Sequence, residues 1–437
     1  MSRAIADWRR FLTGRYAAFR TLAISDAIAV ALNGDSLSIP LITTLGASPA
    51  LATLVGLFPF IGGMLQGLIP TALRKSGGDL RRLTLLIGAA ALLRPILYIA
   101  VVVAIAAGLL PPLAGIGLIA IGFGVGATAQ AIAGANVQTW FGRILPERER
   151  RFVAPRALAI QFGLGSVLLV PVALLVRVGE QDWGVLIYAP AFIGGLVASL
   201  LFLRALRGLP RPGAVSAGRA ATSGPLSSPV RRFLRTNAIA SVGAGFAPYL
   251  SVYAIVILKQ DAAYAILLAA VGSAAALIGS ILIGAWLEHG SASRLYRVSL
   301  LVRGIGMGSS LLAGPWNPYA PIVLLVVTVV ITVGFAAGIL SAQERLLRLA
   351  APGESVRAQS IYGATNAAAL AAGQAVGVAV LALLPITYAT YVGIFLVTGA
   401  FRVVAAATAD VGDDWNSATR IHSANEMPAE TALESQR

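Results

Sequence analysis

The chain has 437 residues, 57% of them hydrophobic and only 12% charged, with a net charge of +15. Soluble proteins carry about 25% charged residues, so this fraction, at a mean hydropathy of +0.82, leaves too little polar surface for a water-facing globule. The basic residues fall in short clusters between apolar runs and form no continuous patch, which argues against nucleic acid as the partner.

The first twenty residues carry Arg3, Arg9, Arg10, Arg15 and Arg20 and lack the apolar core of a removable signal. Trp8, Phe11, Leu12, Tyr16 and Phe19 recur at helical spacing among them. Two readings fit: a short helix lying on the inner membrane surface, or a frayed cytoplasmic tail.

A membrane-crossing helix needs roughly 20 mainly apolar residues. That ruler places spans at 21–42, 51–73, 83–109, 114–141, 157–176 and 184–203, then at 238–258, 263–287, 298–312, 321–340, 361–384 and 388–407. The expected fold is therefore an all-α integral membrane protein of twelve transmembrane helices in two six-helix bundles, residues 19–203 and 236–409. A Gly-, Pro-, Ser- and Arg-rich stretch, 204–235, reads as a cytoplasmic linker. The polar stretch 410–437 reads as a disordered cytoplasmic tail.

Loop charge supports this count. Loops after even-numbered spans are basic: Arg74, Lys75, Arg81 and Arg82; then Arg143, Arg148, Arg150, Arg151 and Arg156; then Arg294 and Arg297; then Arg345, Arg348 and Arg357. Four of the opposite loops carry no charge, and only Arg177 and Lys259 place basic residues there. Cytoplasmic loops are enriched in Lys and Arg, so both termini are expected in the cytoplasm, with the chain multi-pass in the cytoplasmic (inner) membrane and its partner the lipid bilayer.

Two halves of six spans, with similar charged connectors after the fourth and tenth, resemble the major facilitator superfamily (MFS) over residues 18–409. Gly67, Arg74, Lys75 and Gly77 match the Gly-and-basic motif of that family between spans two and three, without its usual Asp. Gly284, Glu288 and Gly290 occupy the equivalent loop of the second half. The resemblance implies that Gly67, Arg74, Lys75, Gly284, Glu288 and Gly290 act in gating. Gly34-Asp35-Ser36-Leu37 followed by Pro40 is similar to the opening helix of bacterial facilitator-type exporters. Span five lacks the Gly-Pro-x-x-Gly-Gly pattern of drug–proton antiporters, so the subfamily stays open.

A charge at the centre of a membrane helix costs about 2.5–3.5 kcal/mol, so such residues are paired or used. Three stand out: Asp26, Asp35 and Arg94. Asp26 and Asp35 are nine residues apart, which at about 100° per residue sets them on nearly opposite faces unless the helix breaks near Gly34 or Pro40. One reading makes either acid a proton-coupling group in a central cavity; the other has Asp35 cap a helix break or pair with Arg94. Arg94 lies about 18 Å along the helix from Arg82, too deep for easy snorkelling, and an acid of span one is its expected partner. Arg303 and Arg402 read as anchors that snorkel to the interface.

Neutral polar residues in the spans that this family uses for its cavity are Asn33, Gln130, Asn136, Gln161, Tyr249, Tyr253, Gln343, Asn366 and Gln374. Each could instead bridge helices. Together they imply a mildly polar cavity with little fixed charge in the second half, suited to a neutral or amphipathic solute. Gly63 with Gly67, and Gly373 with Gly377, have the small-xxx-small spacing of close helix packing.

Cysteine is absent, and His289 and His422 are the only histidines, which leaves no multi-His metal site in the chain. No metal, no cofactor and no enzymatic activity are expected. The function expected is secondary transport by a monomer, coupled to protons, with efflux favoured over uptake. The alternatives are an uncoupled facilitator, or a non-transport membrane partner or sensor with a transporter fold.

Overall fold

The computed structural model describes residues 11, 17–75, 79–144, 147–209, 226–287, 291–350 and 355–409. Every regular element among them is helical. They form twelve helical segments in chain order, several of them broken. Among the described residues, ten helices are long and apolar enough to cross a membrane by length and composition. The seventh and ninth segments are the two outside that set.

Segment one consists of Ala17–Asn33 and Asp35–Thr44, with Gly34 extended between them (ψ −173°). A side chain at Gly34 would run into the Val30 carbonyl, so the break requires glycine. Segment two is built from Pro49–Val55, Phe58–Met64, the 3-10 turn Leu65–Leu68 and Ile69–Lys75. Segment three breaks between Leu80–Ala90 and Leu93–Ala106, just ahead of Pro95, which has no N–H to give to the preceding turn. Segments four to six are Pro112–Ile144, Glu147–Trp183 and Ala189–Gly208.

Segment seven is Ser228–Val242, a 3-10 turn Gly243–Phe246, and Ala247–Val256. Segment seven is thus also interrupted at a glycine, but Gly243 keeps helical angles (ψ −16°) where Gly34 is extended. Segment eight is Ala262–Leu287, nine is Ala292–Gly308 with the 3-10 turn Ser309–Leu312, and ten is Ala320–Leu349. Eleven and twelve are Ser355–Leu383 and Tyr388–Thr408.

Segments seven and nine begin ten and six residues before the starts read from hydropathy. Their first turns are rich in arginine (Arg231, Arg232 and Arg235; Arg294 and Arg297), whose long stems tolerate helix while lowering apparent hydropathy. Helix also runs into the expected linker from both ends, to Gly208 and from Ser228. The rest of that linker, the tail from residue 410 and most of the first sixteen residues lie outside the described residues. Phe11 alone of the N-terminal aromatics before residue 17 is described, and it is fully buried with Phe19, Leu22 and Val153.

Segment one packs on five and six, and three on four and six. In the second half, nine packs on ten and twelve, and seven on eleven and twelve. The halves meet where five packs on eight and two on eleven. Gly63 and Gly67 face Ala367 and Ala364 across the second of these seams, and a side chain at Gly373 would strike the Val242 carbonyl. The small residues thus allow close approach, as their spacing predicts.

The apolar core is asymmetric. At the Thr44 end of segment one, a single cluster runs through both halves, from Leu37, Tyr98 and Phe192 to Tyr253, Tyr391 and Phe395. Toward the opposite end each half has a core of its own, around Phe19 and Val137 in the first and Phe233 and Leu346 in the second. A further cluster there, around Ala276, Ile283 and Leu340, takes Leu158 and Phe162 of segment five against it, so the halves share one broad core at one end and meet along segment five at the other.

Candidate functional site

The break at Gly34 sets the geometry of the two acids. In a continuous helix Asp26 and Asp35 would diverge. Here Asp35 opens the second helical piece, and both carboxylates stand within electrostatic reach of the Arg94 guanidinium. Arg94 is 4% exposed and sits two residues past the break in segment three.

The link from Arg94 to Asp26 runs through segment four. Arg94 Nη2 donates to Gln130 Oε1 at 2.5 Å, and Gln130 Nε2 donates to Asp26 Oδ1 at 3.2 Å. A guanidinium, an amide and a carboxylate form one chain across segments three, four and one. Arg94 also lies over the Phe123 ring, 6.0 Å from its centroid. Its approach depends on Gly126, where any side chain would collide with it.

Asp26 lines a cavity of about 120 Å³. Gln161 of segment five and Gln343 of segment ten line it too, with Gly134, Leu158, Phe202 and Leu340. This cavity therefore takes walls from both halves and holds one acid and two amides in apolar surroundings. Asp35 is exposed, while Asn33 and Gly34 before it and Leu37 and Ser38 beyond it are buried. Between Leu22 and Thr43 it is the one exposed residue of segment one.

The remaining candidates divide. Asn33 is fully buried against Gly195 of segment six, and neither of its polar side-chain atoms has a hydrogen-bond partner. Asn136 is likewise fully buried with both atoms unpartnered. Tyr249 donates to the Gln374 carbonyl at 2.8 Å, and Gln374 Nε2 donates to the Thr53 carbonyl at 2.5 Å. That pair ties segments seven and eleven to segment two, across the seam between halves. Tyr253 donates to the Ala313 carbonyl at 2.5 Å. Asn366 Oδ1 accepts from Ser241 at 2.5 Å and from Asn237 at 3.2 Å, and Tyr296 donates to Asn237 Oδ1 at 3.0 Å. Asn237, Ser241 and Tyr296 carry no signal in the sequence beyond polarity near a helix end.

Of the gating candidates, Gly67 lies on the seam with segment eleven, and Lys75 is exposed at the end of segment two. Arg74 and Gly284 lie in helix with side-chain surroundings not described, and Glu288 and Gly290 lie outside the described residues.

The reading of Arg402 as an interfacial anchor is corrected. It is 3% exposed, and its Nη1 donates to the Arg303 carbonyl at 3.4 Å. Arg345, read as a loop charge, is also 3% exposed, and it lies over the Phe233 ring at 5.4 Å. The second half therefore buries fixed charge. Segment nine starts earlier than hydropathy indicates, so Arg303, eleven residues past Ala292, lies about 17 Å along the helix.

The sequence matches no family model and no curated protein. Solved structures do match. The chain is similar to the xylose transporter XylE from E. coli in a partially occluded inward-open conformation (TM-score 0.64, 14% identity, covering 89% of this chain and 98% of that one). It is similar to a bacterial homologue of the iron transporter ferroportin in its inward-facing state (0.65, 15%, 91% and 98%). It is also similar to a point mutant of the nucleoside transporter NupG (0.65, 12%, 89% and 97%). XylE bound to 6-bromo-6-deoxy-D-glucose, a proton:xylose symporter of the major facilitator superfamily, matches at a TM-score of 0.64 and 15% identity.

Proposed function

For a chain with the fold of the major facilitator superfamily, we propose secondary active transport of a small amphipathic solute across the cytoplasmic membrane, coupled to protons. Twelve crossings with both termini in the cytoplasm follow from alternating loop charge and the twelve helical segments. The residue ranges 19–203 and 236–409 are the two moving bundles. The shared core then seals the periplasmic end, and the narrower contact along segment five at the other end is the one that opens to the cytoplasm. Alternating access requires the halves to rock about a site between them.

The observation that carries this reading is the cavity between halves, walled by Asp26, Gln161 and Gln343, with Asp26 joined through Gln130 to Arg94. A charged residue at that depth costs several kcal/mol unless it is paired or used. Asp35, exposed and sharing the Arg94 field, is the proton-loading group; Asp26, held by Gln130, is the positioning acid. Export is the favoured direction, on the likeness of the Gly34-Asp35 stretch to exporter helices.

An uncoupled facilitator is the second reading, favoured by the Gln130 bond that satisfies Asp26. Reconstituted protein under an imposed pH gradient separates the two. Asp35→Asn is expected to abolish gradient-driven flux while leaving solute exchange at equal pH intact. Unchanged gradient-driven flux in that variant would remove Asp35 from the coupling role.

A further inference from the structure

The two halves place one arginine each in equivalent surroundings and treat its charge differently. Arg94 lies in segment three and Arg303 in segment nine, the third segment of each half. A side chain at Gly126 of segment four would strike Arg94, and one at Gly334 of segment ten would strike Arg303. Arg94 lies over Phe123, and Arg303 lies over Phe335 at 5.3 Å. Four residues past each glycine the halves diverge. The first half has Gln130, which accepts from Arg94. The second has Gly338, which has no side chain to offer and lies against Arg303 Nη1.

The acid is missing as well. Asp26 stands eight residues before the break at Gly34; in segment seven the polar residue six before Gly243 is Asn237, a neutral amide. Between residues 236 and 409, the acids among the described residues are Asp261, in the turn before segment eight, and Glu344, paired with Arg348 at 2.9 Å. Arg303 instead has a second cation in its field, Arg402. Arg402 is 3% exposed, and its buried Nε has no hydrogen-bond partner; the same holds for the Nε of Arg303 and of Arg94, so the halves differ in the Gln130 contact and the acid and not at Nε. The phenols of Tyr296 and Tyr362 are the other groups in electrostatic reach of Arg303. Arg303, Tyr362 and Asn366 are each partly exposed, so the cluster is not sealed.

Two neighbouring buried cations, with no acid among the described residues around them and no amide in the place of Gln130, are costly. From this asymmetry we infer that Arg303 and Arg402 form an anion-recognition site in the second half, which binds the carboxylate of an organic monoanion as the transported solute. A guanidinium fork matches a carboxylate in two parallel hydrogen bonds, and the aromatic rings of Phe233, Tyr362 and Phe335 suit an apolar body. The inference rests on the transport reading and specifies its solute class: amphipathic, and anionic at one end.

The test uses the full chain, purified in nanodiscs, with benzoate, its neutral isostere benzamide, sulfate and phosphate at constant ionic strength. Benzoate is expected to raise the thermal midpoint saturably, and benzamide is not. Arg303→Gln should weaken benzoate binding about tenfold or more, the loss of a charge-assisted contact. Gly338→Gln, which supplies the acceptor that Arg94 already has, should weaken it equally while leaving the protein at least as stable. That second variant decides the matter if the first does not fold. An equal response to benzoate and benzamide, or unchanged benzoate affinity in folded Gly338→Gln, overturns the site. A response to sulfate or phosphate without one to benzoate means a resident inorganic counter-anion, and also overturns it. Flux separates this from the transport reading. Benzoate binding without any benzoate flux sinks transport alone; flux with affinity unaltered by both variants sinks the site alone.

Discussion

Gln130 is the residue on which the first half's charge balance turns. It accepts from Arg94 and donates to Asp26, using both ends of one amide. Leucine there would leave a buried guanidinium and a carboxylate each short of a partner. Leaving a buried polar group unsatisfied costs about 1–3 kcal/mol, more when it is charged. Gln130→Leu should therefore lower the thermal midpoint of the purified protein well below that of Gln161→Leu, whose amide lines the cavity without bridging the two charges. Equal midpoints would show that the Arg94–Gln130–Asp26 chain adds little. Asn33 and Asn136 illustrate the opposite situation: both are fully buried with unfilled polar atoms. Nothing in their spacing could distinguish a lumen-facing amide from one turned into its own bundle.

At the scale of elements, the breaks matter more than the helices. Gly34, Pro95 and Gly243 interrupt segments one, three and seven beside the polar residues of each half. Free backbone groups at such breaks are tolerated in a membrane only where protein or a cavity surrounds them. The close approach of segments seven and eleven is a second element-scale feature. Gly373 approaches the Val242 carbonyl so closely that any side chain must push segment eleven away from segment seven. Overpacking of this kind costs about 1–3 kcal/mol. Gly373→Leu should lower the thermal midpoint and slow transport, whereas Gly393→Leu, at a position with open space, should do neither. Comparable loss in both variants would count against a special role for that close approach.

At the scale of the whole molecule, two checks need no engineered background, because the chain has no cysteine. Gln374 donates to the Thr53 carbonyl across the halves at the end where their cores merge. If that end must open during transport, a disulfide between Thr53→Cys and Gln374→Cys should stop flux, and reduction should restore it. Continued flux in the oxidised form would mean that the halves need not part there. Topology is checked by single cysteines. A membrane-impermeant maleimide applied to whole cells should label Trp316→Cys, in an uncharged turn, and spare Arg297→Cys, in the basic first turns of the segment-nine helix. Labelling of both, or of Arg297→Cys alone, would break the twelve-span, cytoplasmic-termini reading.

The sequence by itself determined the solvent, the helical class and the rough places of most segments. These depend on composition and on hydrophobic length, both of which are properties of the chain before it folds. It also singled out Asp26, Asp35 and Arg94, because a charge inside an apolar run is visible without a structure. A break near Gly34 is the condition for the two acids to converge, and that condition is met. Only the tertiary structure decided that Gln130 stands between Arg94 and Asp26, that Gln161 and Gln343 come from opposite halves to one cavity, and that Arg402 is buried. Each of these joins residues far apart in the chain, or depends on which way a helix face is turned. Hydropathy sums over a helix and loses its rotation, and the rotation decides whether a polar side chain meets lipid, its own bundle or the space between the halves.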